Sequence, residues 1–286
     1  MKRELFIFGI CLLVLSACED VIELDLPDAE PLLVVNGRIT DGDSTGVTLT
    51  TSAPYFSNQA TPRVSGAVIR LFENGVEIDQ LAEDSAGYYR SDQTGVAGRT
   101  YHITVEIPQG NPAIASGTWR SRPERLKPVA LIDSVYSEYL EEDPPFQEEG
   151  LYPFFTFSDL ADQRDYYRLR IWRNDTIRDA PTDITTYEDE LWNGRSFDNV
   201  DFPAVQFEND PKPEGTTYRV EQSSISVAYF DYLNLMFSQT AQVGSTFDPP
   251  PAPLIGNIEC LSQPDQIGLG YFNVSAISTA EVSLEL

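Results

Sequence analysis

Acyl transfer by a serine or cysteine nucleophile needs a base held beside it, and His102 is the only imidazole in the 286 residues. Around it the residue types alternate. His102, Thr104 and Glu106 share one face and Tyr101, Ile103 and Val105 the other, so the spacing predicts a strand with His102 on its solvated side, away from any catalytic constellation. Carboxylate pairs for glycoside hydrolysis are a second chemistry to test, but with 45 acidic side chains no pair is singled out by spacing. Asp41-Gly42-Asp43-Ser44-Thr45-Gly46 places oxygen donors at alternate positions, as the first half of a calcium loop does, which makes Asp41, Asp43 and Thr45 the calcium candidates. The twelfth position is Ser52 where such a loop needs a bidentate glutamate, and no helical pattern flanks it, so a hairpin turn is the better expectation. The densest acidic stretch, Glu188, Asp189 and Glu190 beside Trp192, then Asp198 and Asp201, reads as a solvated loop, with a glycan or calcium site as the sharper alternative.

The N-terminus carries a different chemistry. Lys2 and Arg3 precede an apolar run over 5–15, which is too short for a bilayer that needs about 20 apolar residues and has the length of a signal-peptide core. Leu15-Ser16-Ala17-Cys18 then matches the bacterial lipobox: two small residues admit the peptidase, and the Cys18 thiol becomes the lipid thioether. The expectation is a signal peptide over 1–17, a covalent lipid on Cys18 with no other cofactor, and an acidic tether over 18–31. Glu19 and Asp20 resemble the acidic export signal of Bacteroidota lipoproteins sent to the cell surface. Cys11 would leave with the signal and Cys18 would be acylated. Cys260 would then be the last free thiol, which removes disulfides and a typical zinc site. Asp43-Ser44-Thr45, Asp84-Ser85-Ala86, Asp133-Ser134-Val135 and Asp175-Thr176-Ile177 resemble the Bacteroidota O-glycosylation pattern, with Ser44, Ser85, Ser134 and Thr176 as acceptors.

The elements behind these residues read as mainly β. A formal charge of −26 excludes nucleic acid as a partner, since phosphate binding needs clustered Lys and Arg. Apolar alternation predicts strands over 32–39, 46–51, 67–72, 76–82, 88–91, 101–107 and 113–119, with Asn74-Gly75 as a type I′ hairpin turn. Seven short strands in 32–122 predict an immunoglobulin-like β-sandwich, and Gly66-Ala67-Val68, Gly87-Tyr88-Tyr89 and Gly98 to Val105 resemble the transthyretin-like version of it. A polar connector marks a boundary before a second β-rich, fibronectin-III-like domain over 128–286. Its expected strands are 129–140, 154–157, 166–172, 205–207, 217–222 and 270–278, and its expected acidic loops are 144–150 and 179–199. One helix is expected over 226–242, with Val227, Phe230, Leu233 and Phe237 at spacings of three and four as a stripe that caps the β domain. Gly244 should close the helix, and the proline series over 249–253 predicts a stiff rod behind it.

The order of these landmarks resembles a family of Bacteroidota outer-membrane lipoproteins known as domain of unknown function 4249. The matching residues are Cys18 with Ile22-Glu23-Leu24, Leu33-Val34-Val35-Asn36-Gly37, Gly66-Ala67-Val68, Gly87-Tyr88-Tyr89, the aromatic helix, Pro250-Pro251-Ala252-Pro253, Gly256-Asn257-Ile258 and Leu269-Gly270-Tyr271-Phe272. The resemblance implies a lipid-anchored protein of the outer membrane, held in lipid by the acylated cysteine and often encoded beside a TonB-dependent receptor that is its implied partner, while Glu19 and Asp20 add the expectation that it faces the cell surface. It supplies no catalytic residue. The function expected is a non-catalytic accessory or binding subunit. The alternatives are a glycan-active hydrolase with unidentified carboxylates and a free-standing glycan-binding adhesin.

Overall fold

Apolar residues at every second position build the first layer. The computed structural model of the chain describes residues 30–53, 60–143, 148–161, 163–202, 212–240, 254–263 and 266–285. In β1 (Leu33–Thr40) and β2 (Thr45–Thr51), Leu33, Val35, Val47 and Leu49 are enclosed completely. There follow β3 (Val68–Glu73), β4 (Val76–Ser85), β5 (Tyr88–Ser91), β6 (Thr100–Ile107), β7 (Gly117–Ser121) and the short β8 (Glu124–Arg125). β4 pairs with β3 on one side and β5 on the other, with register shifts between Leu71 and Phe72 and between Glu83 and Ser85. Such bulges increase twist and bend the sheet, so Ile69, Leu71, Ile103 and Val105 reach the same core as Val35 and Val47. Asn74 and Gly75 both have positive φ, at 49° and 81°, as a type I′ turn requires.

The second half supplies β9 (Ile132–Leu140), β10 (Gly150–Ser158), β11 (Tyr166–Arg173), β12 (Thr176–Arg178), β13 (Thr185–Glu188), β14 (Ser196–Asp201), β15 (Thr217–Ser224), β16 (Ile258–Cys260), β17 (Leu269–Ser275) and β18 (Ile277–Ser283). β14-β10-β9 form a three-stranded sheet, and β12-β11-β15-β18 with β13 on β11 form a five-stranded one. The fold is mainly β, with one α-helix among the described residues, α1 (Val227–Thr240). No helix among those residues is long and apolar enough to cross a membrane.

Three expectations change here. The single strand over 270–278 is two strands. Ala276 interrupts it, held by Ser224, whose N–H donates to the Ala276 carbonyl at 3.0 Å and whose Oγ accepts the Ala276 N–H at 3.3 Å. On one side of that residue β17 runs parallel to β1; on the other β18 runs antiparallel to β15. One residue therefore passes the chain from the first sheet to the third. Secondly, the run over 179–199 is not a loop, because it holds a 3-10 turn (Pro181–Asp183), β13 and the start of β14. Finally, the boundary drawn between 122 and 128 separates segments that share a sheet. The ten-stranded sheet runs β16-β7-β6-β3-β4-β5-β2-β1-β17 with β8 paired to β6, so both of its ends come from the second half of the chain, and 31–286 make one compact unit.

α1 starts where the sequence places it. Ser226 caps it, its Oγ accepting the Tyr229 N–H at 3.1 Å. Tyr229 and Leu233 are its buried residues, Phe230 packs half-buried on Tyr166 with ring centroids 5.0 Å apart, and Phe237 is 41% exposed. The seam runs through Tyr229, Leu233 and Met236. At about 100° per residue Phe237 stands roughly 80° round from Tyr229, which takes it out of the expected stripe. The expected strand over 205–207, the helix residues 241–242, Gly244 and the proline series over 249–253 lie outside the described residues.

Candidate functional site

Alternation along β11 sends Tyr167, Leu169 and Ile171 into the core and leaves Arg168 and Arg170 on the opposite face. That face, with β1, β17 and α1, encloses a cavity of about 700 Å³, within the range of about 300–1,000 Å³ typical of small-molecule sites. Arg38 and Arg170 reach one carboxylate there: Glu221 Oε1 accepts Arg38 Nη1 at 2.7 Å and Arg170 Nη1 at 3.2 Å. Burial alone would raise the Glu221 carboxyl, but the two guanidinium charges outweigh it and hold the group below the usual range. Arg38 also pairs with Asp43 at 2.6 Å.

Arg168 is arranged differently. Its Nη1 donates to the Tyr229 hydroxyl at 2.8 Å, and its guanidinium carbon lies 5.9 Å from the centre of that ring. Its Nε is buried with no acceptor, and no ion pair joins it to a carboxylate among the described residues. Beside it Tyr229, Tyr232 and Tyr271 pack with centroids 4.5–6.1 Å apart, and burial pushes the Tyr232 hydroxyl up to about 12. Guanidiniums and aromatic faces can bind and orient a ligand. His102 does not line this cavity, so no imidazole serves it as a base.

A second cluster lies where β10 ends and β11 and β13 begin and end. Asp159 follows β10, Asp165 precedes β11 and Asp189 follows β13. All three are buried, at 8%, 1% and 0% exposure, and their carboxylate oxygens come within 4.8 Å of one another. Asp159 is well supplied with donors, accepting the Tyr167 hydroxyl at 2.6 Å and the Gly194 N–H at 2.8 Å. Asp165 Oδ2 accepts the Gln163 amide at 2.9 Å and Asp189 Oδ2 the Asn193 amide at 2.9 Å, while Oδ1 of each is buried without a donor. Burial pushes the Asp165 carboxyl up. The Gln163 amide and the charge of Lys127 pull it back, and Asp159 and Asp189 push it further up. Arg164, the nearest cation in sequence, is taken by Glu188 at 2.5 Å and Glu190 at 2.9 Å. Asp189 therefore leaves the solvated loop expected of it. The aromatic rings of Tyr187 and Trp192, 5.7 Å apart, turn this stretch inward, and Trp192 is only partly exposed.

The remaining sequence candidates are scattered. His102 is half-buried on β6 and stacks on Phe72, centroids 4.6 Å apart and planes 9° from parallel. Burial and then the charge of Arg120 hold its imidazole below the usual value. Asp41, Asp43 and Thr45 lie in and beside the turn between β1 and β2, and each already has a partner. Asp41 accepts the Ile277 N–H at 2.8 Å, Asp43 holds Arg38, and the buried Thr45 donates to the Gln93 carbonyl at 2.8 Å. Ser85, Ser134 and Thr176 are exposed and Ser44 is partly so. Cys260 is a buried free thiol. Cys18, Glu19 and Asp20 lie outside the described residues.

Sequence reasoning missed Asp159 and Asp165 altogether, and nothing in their local spacing marks them. It missed the arginine face too, although Tyr167 to Arg173 alternates visibly. Among known proteins, a family model described as a domain of unknown function (DUF4249) matches residues 19–281. No curated protein matches the chain.

Proposed function

Because this chain belongs to the DUF4249 family, whose description assigns no function, we propose a role from its own geometry: a non-catalytic, lipid-anchored binding subunit of the outer membrane that works beside a TonB-dependent receptor. Arg168 carries the binding part of this reading. A buried guanidinium donor without an acceptor costs about 1–3 kcal/mol, and an incoming carboxylate removes that cost. Tyr229, Tyr232 and Tyr271 beside it favour a ligand with an apolar ring as well as the acid. The lipobox at Cys18 supports the anchor, and Glu19 and Asp20 support placement on the cell surface of a Bacteroidota outer membrane. The receptor as partner rests on the family resemblance.

Two experiments test it. Cys18→Ala should release the protein into the soluble fraction, and a variant that still sediments with the outer membrane contradicts the anchor. Ring-bearing carboxylates, uronic and aromatic acids among them, should include one that raises the melting temperature of the wild-type protein and not that of Arg168→Gln. A stabilising ligand indifferent to that substitution contradicts the cleft as the binding place.

A further inference from the structure

Three carboxylates in one dry cluster repel one another unless something positive sits among them, because like charges at such separations each oppose the ionisation of the others. In this protein the remedies fall short at the centre: the charge of Lys127 acts on Asp165, yet burial and the neighbouring carboxylates still hold that group above its usual range. The nearby guanidinium of Arg164 is drawn off by Glu188 and Glu190. Asp165 Oδ1 and Asp189 Oδ1 are buried without any donor, on side chains that are 1% and 0% exposed. Buried carboxylate oxygens ordinarily find a partner, and two orphans in one cluster mark a place for a cation.

We propose that Asp159, Asp165 and Asp189 hold a calcium ion. The three oxygens lie within 4.8 Å of one another, close enough for one ion to touch all three. Dryness and the carboxylate count select among hard cations: calcium takes about six to eight oxygen ligands from carboxylates, carbonyls and amides, whereas magnesium dehydrates reluctantly and keeps several waters around one or two carboxylates. Three carboxylates exposed by 8% or less suit calcium. All-oxygen donors also disfavour zinc and copper. Gln163 and Asn193 now point amide nitrogens at Asp165 and Asp189. A half-turn of the Gln163 amide presents its oxygen instead, which adds a neutral ligand without moving the backbone, whereas the Asn193 amide is held as it stands by a second hydrogen bond, donated to the Gln163 carbonyl. Around the carboxylates, the Tyr167 hydroxyl and the Gly194 N–H fix the orientation of Asp159, as outer-sphere donors do in metal sites. The ion would tie the end of β10 to the start of β11 and the end of β13. The centre shares no residue with those lining the arginine cleft and does not depend on the reading given for it.

The test uses the purified full-length mature protein, stripped with a chelator and dialysed. Terbium is the first probe, since it occupies calcium sites and emits when a nearby indole or phenol is excited. Trp192 is placed for this, its backbone N–H donating to the Asp189 carbonyl at 2.9 Å and its ring 6.4 Å from that of Tyr167. Sensitised emission should appear, fall on adding calcium, and resist magnesium; Trp192→Phe should dim it without weakening calcium binding. Asp165→Asn and Asp189→Asn should each weaken calcium binding at least about tenfold, a loss that changes in outer-sphere partners already cause. Should either variant fold poorly, native mass spectrometry and melting of the wild-type protein still decide. One bound calcium and a melting temperature that rises with calcium are expected. A wild-type protein that carries no ion and melts identically in calcium and in chelator overturns the proposal. Displacement of terbium equally by magnesium overturns the assignment to calcium. An Asp189→Asn variant more stable than wild type in saturating calcium also overturns it, since the cluster would then be a strained set of acids and no site.

Discussion

Two glutamates near the cleft, Glu221 buried and Glu124 partly buried, are shifted in opposite senses. Glu221 is held below the usual carboxylate value by Arg38 and Arg170 against its own burial, so it stabilises the fold above the unfolded value of about 4.3, and that contribution fades as pH falls through the folded one. Glu221→Gln should cost at least the about 1.5–3 kcal/mol of one charged hydrogen bond at pH 7, read from urea unfolding. Glu124 lies in the other direction. Burial raises it, more than hydrogen bonds from Tyr271, Ser226 and Asn257 lower it. Its contribution is complete below about 4.3 and is lost as pH rises through the raised folded value. Glu124→Gln should therefore raise the melting temperature at pH 7–8, and the gain should shrink toward pH 4; a gain independent of pH contradicts this. Also at this scale, the glycine and asparagine motifs that carried the family resemblance acquire a cause. Gly270 has φ +87°, and a Cβ there would stand 2.0 Å from the Val35 carbonyl oxygen. Asn257 donates to the Phe272 carbonyl and accepts the Phe272 N–H, both at 3.0 Å, so a side chain stands in for a missing strand. Gly270→Ala should cost more than the about 1–2 kcal/mol of a left-handed residue with a Cβ. Acidic residues were the least readable. Asp189 looks solvated among Glu188 and Glu190, and only the fold brings Asp159 and Asp165 to it, from 30 and 24 positions earlier in the chain.

Among the elements, those whose cause is local were legible. The alternating strands of the first half and the Asn74-Gly75 turn depend on neighbours a few residues away. The helix start at Ser226 was legible for the same reason. Asn174 and Asp175 form a second turn with positive φ, at 47° and 62°, and escaped notice because that pair lacks the glycine that usually signals it. The helix stripe was half right. Leu233 is buried at 2% exposure, whereas Phe237 is exposed, because the seam drifts toward Tyr229 and Met236. The two sites should then respond differently. Leu233→Ala should cost about 2–5 kcal/mol as a core truncation, while Phe237→Ala should leave urea unfolding within about 0.5 kcal/mol of wild type. Equal losses at both contradict the placement of the helix.

At the scale of the whole molecule, the C-terminal strands complete the sheet that the N-terminal residues begin. The sequence suggested two successive domains, because apolar alternation runs unbroken through Ala276 and pairing partners lie more than 200 residues away. With β1 paired to β17 and β7 to β16, unfolding should proceed as a single transition by fluorescence and circular dichroism together. In the role we propose, such a body would be tethered through an acylated Cys18 and would use its arginine-lined cleft to present or receive a ligand beside a transporter. The most direct test is affinity purification of the tagged, full-length protein from detergent-solubilised outer membranes, with the co-purifying proteins weighed against it. The account predicts a TonB-dependent receptor in stoichiometric amount. Recovery of the chain from those membranes with no receptor bound would contradict it.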